Sequence, residues 1–262
     1  MGYLKLLAVV VVAIASTGCL RITNTLNLKA DGSGTVVTTF AMSKAMMQQA
    51  AAMMGGSMLP TEAKLREGAA AMGAVRFVSA TPYSTAGFEG LTAVYAFDDV
   101  NQVKLNLEQA IVGSLNAPVK PSMDSEADVK LAFKREGDRT VLLLRMPEVS
   151  KPDAETAAHV ETAAKQAESS PQVEAMMKQL LDGLLIEVAF NIEGQILQTN
   201  APFVEGQRIV LAQLNGNEVL KSGMGLMQIV QLGGATGDFK SKLSQVPGLK
   251  IVMLPELRVE FR

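Results

Sequence analysis

From Leu20 to Lys29 apolar and polar residues alternate: Leu20, Ile22, Leu26 and Leu28 fall on one side, and Arg21, Thr23, Thr25, Asn27 and Lys29 on the other. An extended chain turns successive side chains to opposite faces, so this period of two predicts a strand with one buried face. Ala30-Asp31-Gly32-Ser33-Gly34 supplies a turn in which glycine can take positive φ. Thr35–Met42 resumes the alternation with Val36, Thr38, Phe40 and Met42 together, which makes the pair a hairpin. At Ser43 the period changes. Ser43 can cap a helix running to about Met54, with Met46, Ala50 and Met53 on one stripe and Met47 and Met54 beside it. Pro60-Thr61 opens a second helix, with Leu65, Ala69 and Met72 inward and Glu62, Lys64, Arg66 and Glu67 outward. Strands are expected again at Val75–Ala80 and Leu91–Phe97, where Asp98-Asp99 reads as a strand end and cap.

Residues 116–126, containing NAPVKPSMDS, are rich in proline, asparagine and serine and mark a linker between an N-terminal half at 19–115 and a C-terminal half at 127–262. Beyond it the order recurs. Ala127–Arg135 and Thr140–Met146 alternate around a turn at Gly137-Asp138. Ser170-Pro171 starts a helix with an apolar stripe at Val173, Met176, Met177, Leu180, Leu181 and Leu184. Strands follow at Leu185–Ile192, Ile196–Thr199 and Arg208–Leu214, helices near Asn217–Val230 and Asp238–Gln245, and a last strand at Leu257–Phe261. Hairpin, helix pair, hairpin thus occurs at 20–97 and again at 127–214. Strands that neighbour in sequence tend to pair, so the expected fold is α+β: mostly antiparallel sheets with helices packed on one face, arranged as two similar halves.

Charge narrows the partners. Twenty-four Lys and Arg against 26 Asp and Glu leave a net charge of −2, which is no electrostatic footprint for nucleic acid. One cysteine and one histidine exclude an intramolecular disulfide and a Cys/His metal site. The histidine, His159, lies in the Ala-rich polar run Asp153–Glu168 and reads as a surface residue. Gly233–Lys240 has the glycines of a phosphate loop but lacks the Lys-Ser/Thr after the last one, so it reads as a helix-capping loop. Asp98 and Asp99 are adjacent on a strand end and point apart. No catalytic residue, metal or cofactor is expected.

Two features carry chemistry. Fifteen methionines are unusual, and seven of them fall between Met42 and Met72. Methionine is flexible and polarizable, so it fills irregular core gaps or lines surfaces that adapt to varied apolar partners. Met46, Met47 and Met54 are the candidates for contact with a hydrophobic ligand. The second feature is the start of the chain. Met1–Lys5 carries one positive charge, Leu6–Ala15 is apolar throughout, and the small residues Ser16, Thr17 and Gly18 precede Cys19. The apolar run is half the roughly 20 residues that span a bilayer, and it fits a signal h-region.

The stretch Ser16–Cys19 resembles the bacterial lipobox, with Ser16 where leucine is usual. The resemblance implies that residues 1–18 are a lipoprotein signal peptide and that Cys19, through its thiolate, receives the lipid anchor and palmitate. Leu20 stands where aspartate retains Gram-negative lipoproteins at the inner membrane, which implies the periplasmic face of the outer membrane in a Gram-negative source. Three further stretches carry a second resemblance: CLRITNTLNLKADGSGTVV from Cys19, GFEGLTAVYAFDDVNQV at Gly87–Val103, and VAFNIEGQILQTNAPFVEGQRIVL at Val188–Leu211. They resemble a broad group of bacterial lipoproteins that includes the mycobacterial LppM-type domain. That resemblance implies contact with membrane lipids or glycolipids and supplies no catalytic residues. The expected function is a membrane-anchored lipoprotein of the cell envelope, non-enzymatic, that binds a lipid or another hydrophobic envelope partner. A structural lipoprotein without a small-molecule ligand and an envelope hydrolase are the alternatives.

Overall fold

A computed structural model of the chain describes residues 20–54, 59–106, 128–146, 181–222 and 246–262, together with Ala175 and Lys178. The first hairpin forms where the alternation places it, as β1 (Leu20–Lys29) and β2 (Gly34–Ser43). Its turn closes through Lys29 N–H on Ser33 O at 3.0 Å, and Gly32 takes φ 90°, a value that side chains disfavour. Asp31 accepts from the Ser33 hydroxyl at 2.7 Å and its amide at 2.9 Å, and these donors hold the Asp31 carboxyl below its ordinary pKa.

Helices α1 (Lys44–Met54) and α2 (Glu62–Ala71) precede β3 (Arg76–Ser84) and β4 (Phe88–Phe97). A 3-10 turn at Val100–Gln102 follows, capped by Asp99, whose carboxylate accepts from Asn101 N–H at 2.9 Å. Then come β5 (Leu105–Asn106), β6 (Asp128–Glu136), β7 (Arg139–Arg145), β8 (Leu185–Glu193), β9 (Ile196–Thr199), β10 (Val204–Glu205) and β11 (Arg208–Asn215). Helix α3 (Gly216–Lys221), β12 (Leu249–Ile251) and β13 (Glu256–Phe261) complete the described elements.

These strands build two sheets. The larger has eight strands in the order β10-β11-β8-β1-β2-β4-β3, with β12 also on β11; the smaller has five, β5-β6-β7-β13-β9. Every described pair is antiparallel except β1 with β8, which run parallel from Arg21↔Leu185 to Lys29↔Glu193. Parallel neighbours need a crossover connection. Here the chain leaves the larger sheet, lays down β6 and β7 in the smaller one, and returns as β8.

The core lies between the sheets. Leu26, Leu28, Phe97, Phe190 and Ile192 of the larger sheet share one apolar cluster with Leu142, Leu144, Leu257, Val259 and Phe261 of the smaller. The smaller sheet is tied to the turn end of the first hairpin. Thr140 Oγ1 donates to Ala30 O at 3.3 Å, and Phe133 N–H donates to Asn101 Oδ1 at 2.7 Å beside the 3-10 turn. At the β10–β12 edge Glu205 pairs with Lys250 at 2.6 Å, and this lysine holds the Glu205 carboxyl below its ordinary pKa.

This corrects the expected α+β fold with helices on one face. Among the described residues strand exceeds helix by 57% to 18%, the larger sheet is mixed, and sheet rather than helix covers sheet. The physical reason is that the inward stripes of the two strand sets complement each other, so burial needs no helical layer. Helix α1 exposes Ala45, Gln48, Ala51 and Ala52, and none of its described residues enters the core cluster. Helix α2 contributes Ala69, with Leu65 and Met72 against it, and lies along β3, where Arg66 sits 4.7 Å over the Phe77 ring. The two similar halves are corrected with it. Strands β6, β7, β9 and β13 make the smaller sheet, whereas β8 and β11 extend the sheet begun by β1–β4. The linker at 116–126, His159, Gly233–Lys240 and the helix at 238–245 lie outside the described residues.

Candidate functional site

β1 enters the fold at Leu20, one residue after Cys19, and lies between β8 and β2 in the middle of the larger sheet. Register defines what meets it there. Leu20 pairs with Met42, Arg21 with Leu185, Ser43 with Phe88, and Asn215 with Leu185. The end of β2, the starts of β4 and β8 and the end of β11 therefore gather beside Leu20. α1 and α3 leave from the same end.

On the core-facing side, Leu214, Ile186, Ile22, Phe40 and Leu91 form one row across five strands. Ile22 is fully buried and the other four are half-buried. The next row inward is interrupted by a polar pair, where the Thr38 hydroxyl donates to Asn24 Oδ1 at 2.7 Å. Beyond that pair lie Leu26 and Val36 of the shared core. The result is an apolar shelf at the Cys19 end, set off from the core by Asn24 and Thr38.

Helix α1 starts at the rim of this shelf. Ser43 Oγ accepts from Met46 N–H at 3.2 Å, Lys44 pairs with Glu89 at 3.7 Å, and the helix lies against β2 and β4. Met46 and Met47 are half-buried on it. The structure thus places Met46 and Met47 together at the end where β1 begins, while the Met54 side chain and Cys19 lie outside the described residues. Met42, on β2, is fully buried at the same end.

The opposite face of the same strands is polar. Asn191 donates to Asn27 at 3.2 Å and Asn27 to Thr35 at 3.1 Å; Thr39 and Thr92 share a hydrogen bond of 3.1 Å. Glu187, only 8% exposed, accepts from Gln213 Nε2 at 2.7 Å and pairs with the Arg208 guanidinium, which also reaches Thr25 Oγ1 at 3.5 Å. With both oxygens engaged, this carboxylate fastens β8 to β11 and, through Arg208, to β1. Nearer the chain start, the Arg21 guanidinium lies 4.1 Å over the Phe88 ring, and among the described residues its buried Nε has no hydrogen-bond partner.

Sequence reasoning placed Glu187 and Arg208 only within strands, with no partner for either. Their meeting depends on the β8–β11 register, which no local pattern encodes. Asn24 did leave a signal, because it breaks the apolar stripe between Ile22 and Leu26. Among the described residues no group of three or more His, Cys, Asp and Glu could hold a metal ion, and no helix is long and apolar enough to cross a membrane.

No protein-family model and no curated protein matches the chain. Among solved structures it is similar to the NMR structure of the folded domain of the Mycobacterium tuberculosis LppM protein, at 12% identity over 94% of this chain and 91% of that one, with a TM-score of 0.35. This is a distant structural resemblance.

Proposed function

We propose that the chain is a lipid-anchored protein of the bacterial cell envelope. Residues 1–18 direct export and acylated Cys19 holds the mature protein to the membrane, at the periplasmic face of the outer membrane in a Gram-negative cell. Its two-sheet body binds a lipid or another hydrophobic envelope partner and catalyses no reaction. The observation that carries this reading is the start of β1 at Leu20 in the centre of the larger sheet. A lipid on Cys19 then joins the fold with no spacer. The apolar shelf of Ile22, Phe40, Leu91 and Ile186 lies at that same end. Binding at a membrane interface scales with the apolar area buried, so an apolar surface beside the anchor adds to it. Support for a non-catalytic role comes from the carboxylates: Glu187 is held by Arg208 and Gln213, Asp99 caps a turn, and Asp31 closes one.

Cys19→Ser is expected to move the protein from the membrane to the soluble or unprocessed fraction and to abolish incorporation of labelled fatty acid. Each buried CH₂ of an acyl chain contributes about 0.8 kcal/mol, so loss of the anchor shifts partitioning decisively. Fatty-acid label persisting in the variant would remove Cys19 from its role.

The burial of Ile22 and Met42 favours a second reading, a scaffold whose shelf is closed and holds no ligand. Met46→Gln separates the two. Because Met46 is only half-buried and the described residues of α1 lie outside the shared core, the change is expected to cost under about 1 kcal/mol. With a ligand-binding shelf it also reduces the lipid that co-purifies, measured by mass spectrometry. Unaltered lipid content with full stability supports the scaffold, and loss of cooperative melting would show that α1 belongs to the core.

A further inference from the structure

We propose that Arg21 binds phosphate, and that its ligand is the headgroup phosphate of a phospholipid beside the anchored Cys19. The proposal rests on the anchoring at Cys19 and names what the anchored end touches.

Arg21 differs from other arginines of the fold. Arg66, Arg145, Arg208 and Arg258 each close on a glutamate. Among the described residues the contact of Arg21 is the Phe88 ring, 4.1 Å from its guanidinium carbon, and its buried Nε lacks a hydrogen-bond partner. Its paired neighbours across the sheet are Ala41 and Leu185, and Gly90 lies beyond Ala41, so its row brings no carboxylate. The acid one step along β8, Glu187, is engaged by Arg208 and Gln213. A guanidinium stacked on an aromatic ring is preorganised, and its planar fork of donors matches two phosphate oxygens.

Position selects the source of that phosphate. Arg21 is the second residue after Cys19 in an extended central strand. At about 3.3 Å per residue its Cα lies within roughly 7 Å of the lipidated residue. The headgroup layer on each side of a bilayer is about 5–7 Å deep. Arg21 is partly exposed, so its terminal guanidinium nitrogens, held there over the Phe88 ring, are placed among phosphodiesters.

The test uses the full acylated protein in vesicles of phosphatidylcholine and, in parallel, of digalactosyldiacylglycerol, an uncharged lipid without phosphate. Flotation and intact mass establish anchoring first. The rate at which phenylglyoxal modifies Arg21 is then read by peptide mass spectrometry, with exposed Arg145 as the internal control. The expected result is modification of Arg21 at least about tenfold slower in the phosphatidylcholine vesicles, as a bidentate charge-assisted contact implies, with Arg145 unchanged. Excess inorganic phosphate in the galactolipid vesicles is expected to give less protection than the phospholipid. Equal Arg21 rates in the two vesicles, from protein that carries acyl mass and floats, would overturn the role of Arg21 and leave the anchor intact. Protection by inorganic phosphate with none by phospholipid would overturn the lipid as the source. Protein without acyl mass that fails to float would overturn the anchor and this proposal together.

Discussion

Phe190→Ala is expected to lower the stability of the fold by about 3–5 kcal/mol, the range for truncating a buried phenylalanine. Phe190 is 1% exposed on β8, pairs with Leu26 of β1 on one side and Ile209 of β11 on the other, and belongs to the cluster shared with the smaller sheet. Truncation removes the transfer free energy of the ring and opens a cavity between sheets that cannot close without moving both. Set against a total of about 5–15 kcal/mol for a typical domain, the loss takes a large share of the stability. Urea unfolding followed by circular dichroism measures it. Val78→Ala, at a half-exposed position where the β3–β4 register shifts, is the control and is expected to stay within about 0.5 kcal/mol. A Phe190→Ala cost below that of the control would contradict a core built between the two sheets.

Glu187→Ala carries the second large effect, a loss of about 1–3 kcal/mol from leaving its partners without an acceptor. The Arg208 side chain is 30% exposed, and solvent screening of the stranded guanidinium places the expectation toward the lower end. The change also releases the Gln213 amide, so β8, β11 and β1 lose one shared clamp. Glu187→Gln keeps an acceptor of the same shape and is expected to lose less than the alanine variant. Equal losses for the two, or no loss for either, would mean that the carboxylate does not hold these strands.

The individual elements were legible because their causes are local. The alternation at Leu20–Lys29 became β1, Ser43 caps α1, Thr61 caps α2 through Lys64 N–H at 3.4 Å, and Leu185–Ile192 became β8. Their assembly was not legible. The parallel β1–β8 pair brings Asn27 to Asn191 across 164 positions, and nothing near either residue specifies it. A buried stripe states that a partner exists without saying whether the partner is helix or sheet, and this ambiguity produced the helix-covered expectation that Leu142, Leu257 and Phe261 overturn. Of the candidate site, Met46 was visible on a helical stripe and Met47 and Met54 beside it. Arg21 was visible only as a residue on the polar side of its strand and Glu187 only as a residue within one, since the ring over which one lies and the arginine that meets the other come from distant strands.

The central claim is that the mature protein begins at Cys19 with a lipid and enters its fold at the next residue. Intact mass spectrometry of the protein extracted from membranes, with sequencing of its N-terminal peptide, tests this most directly. The account predicts a chain lacking residues 1–18 whose first residue, Cys19, carries the mass of a diacylglycerol. A membrane-extracted chain that begins elsewhere, or that begins at an unmodified Cys19, would contradict it.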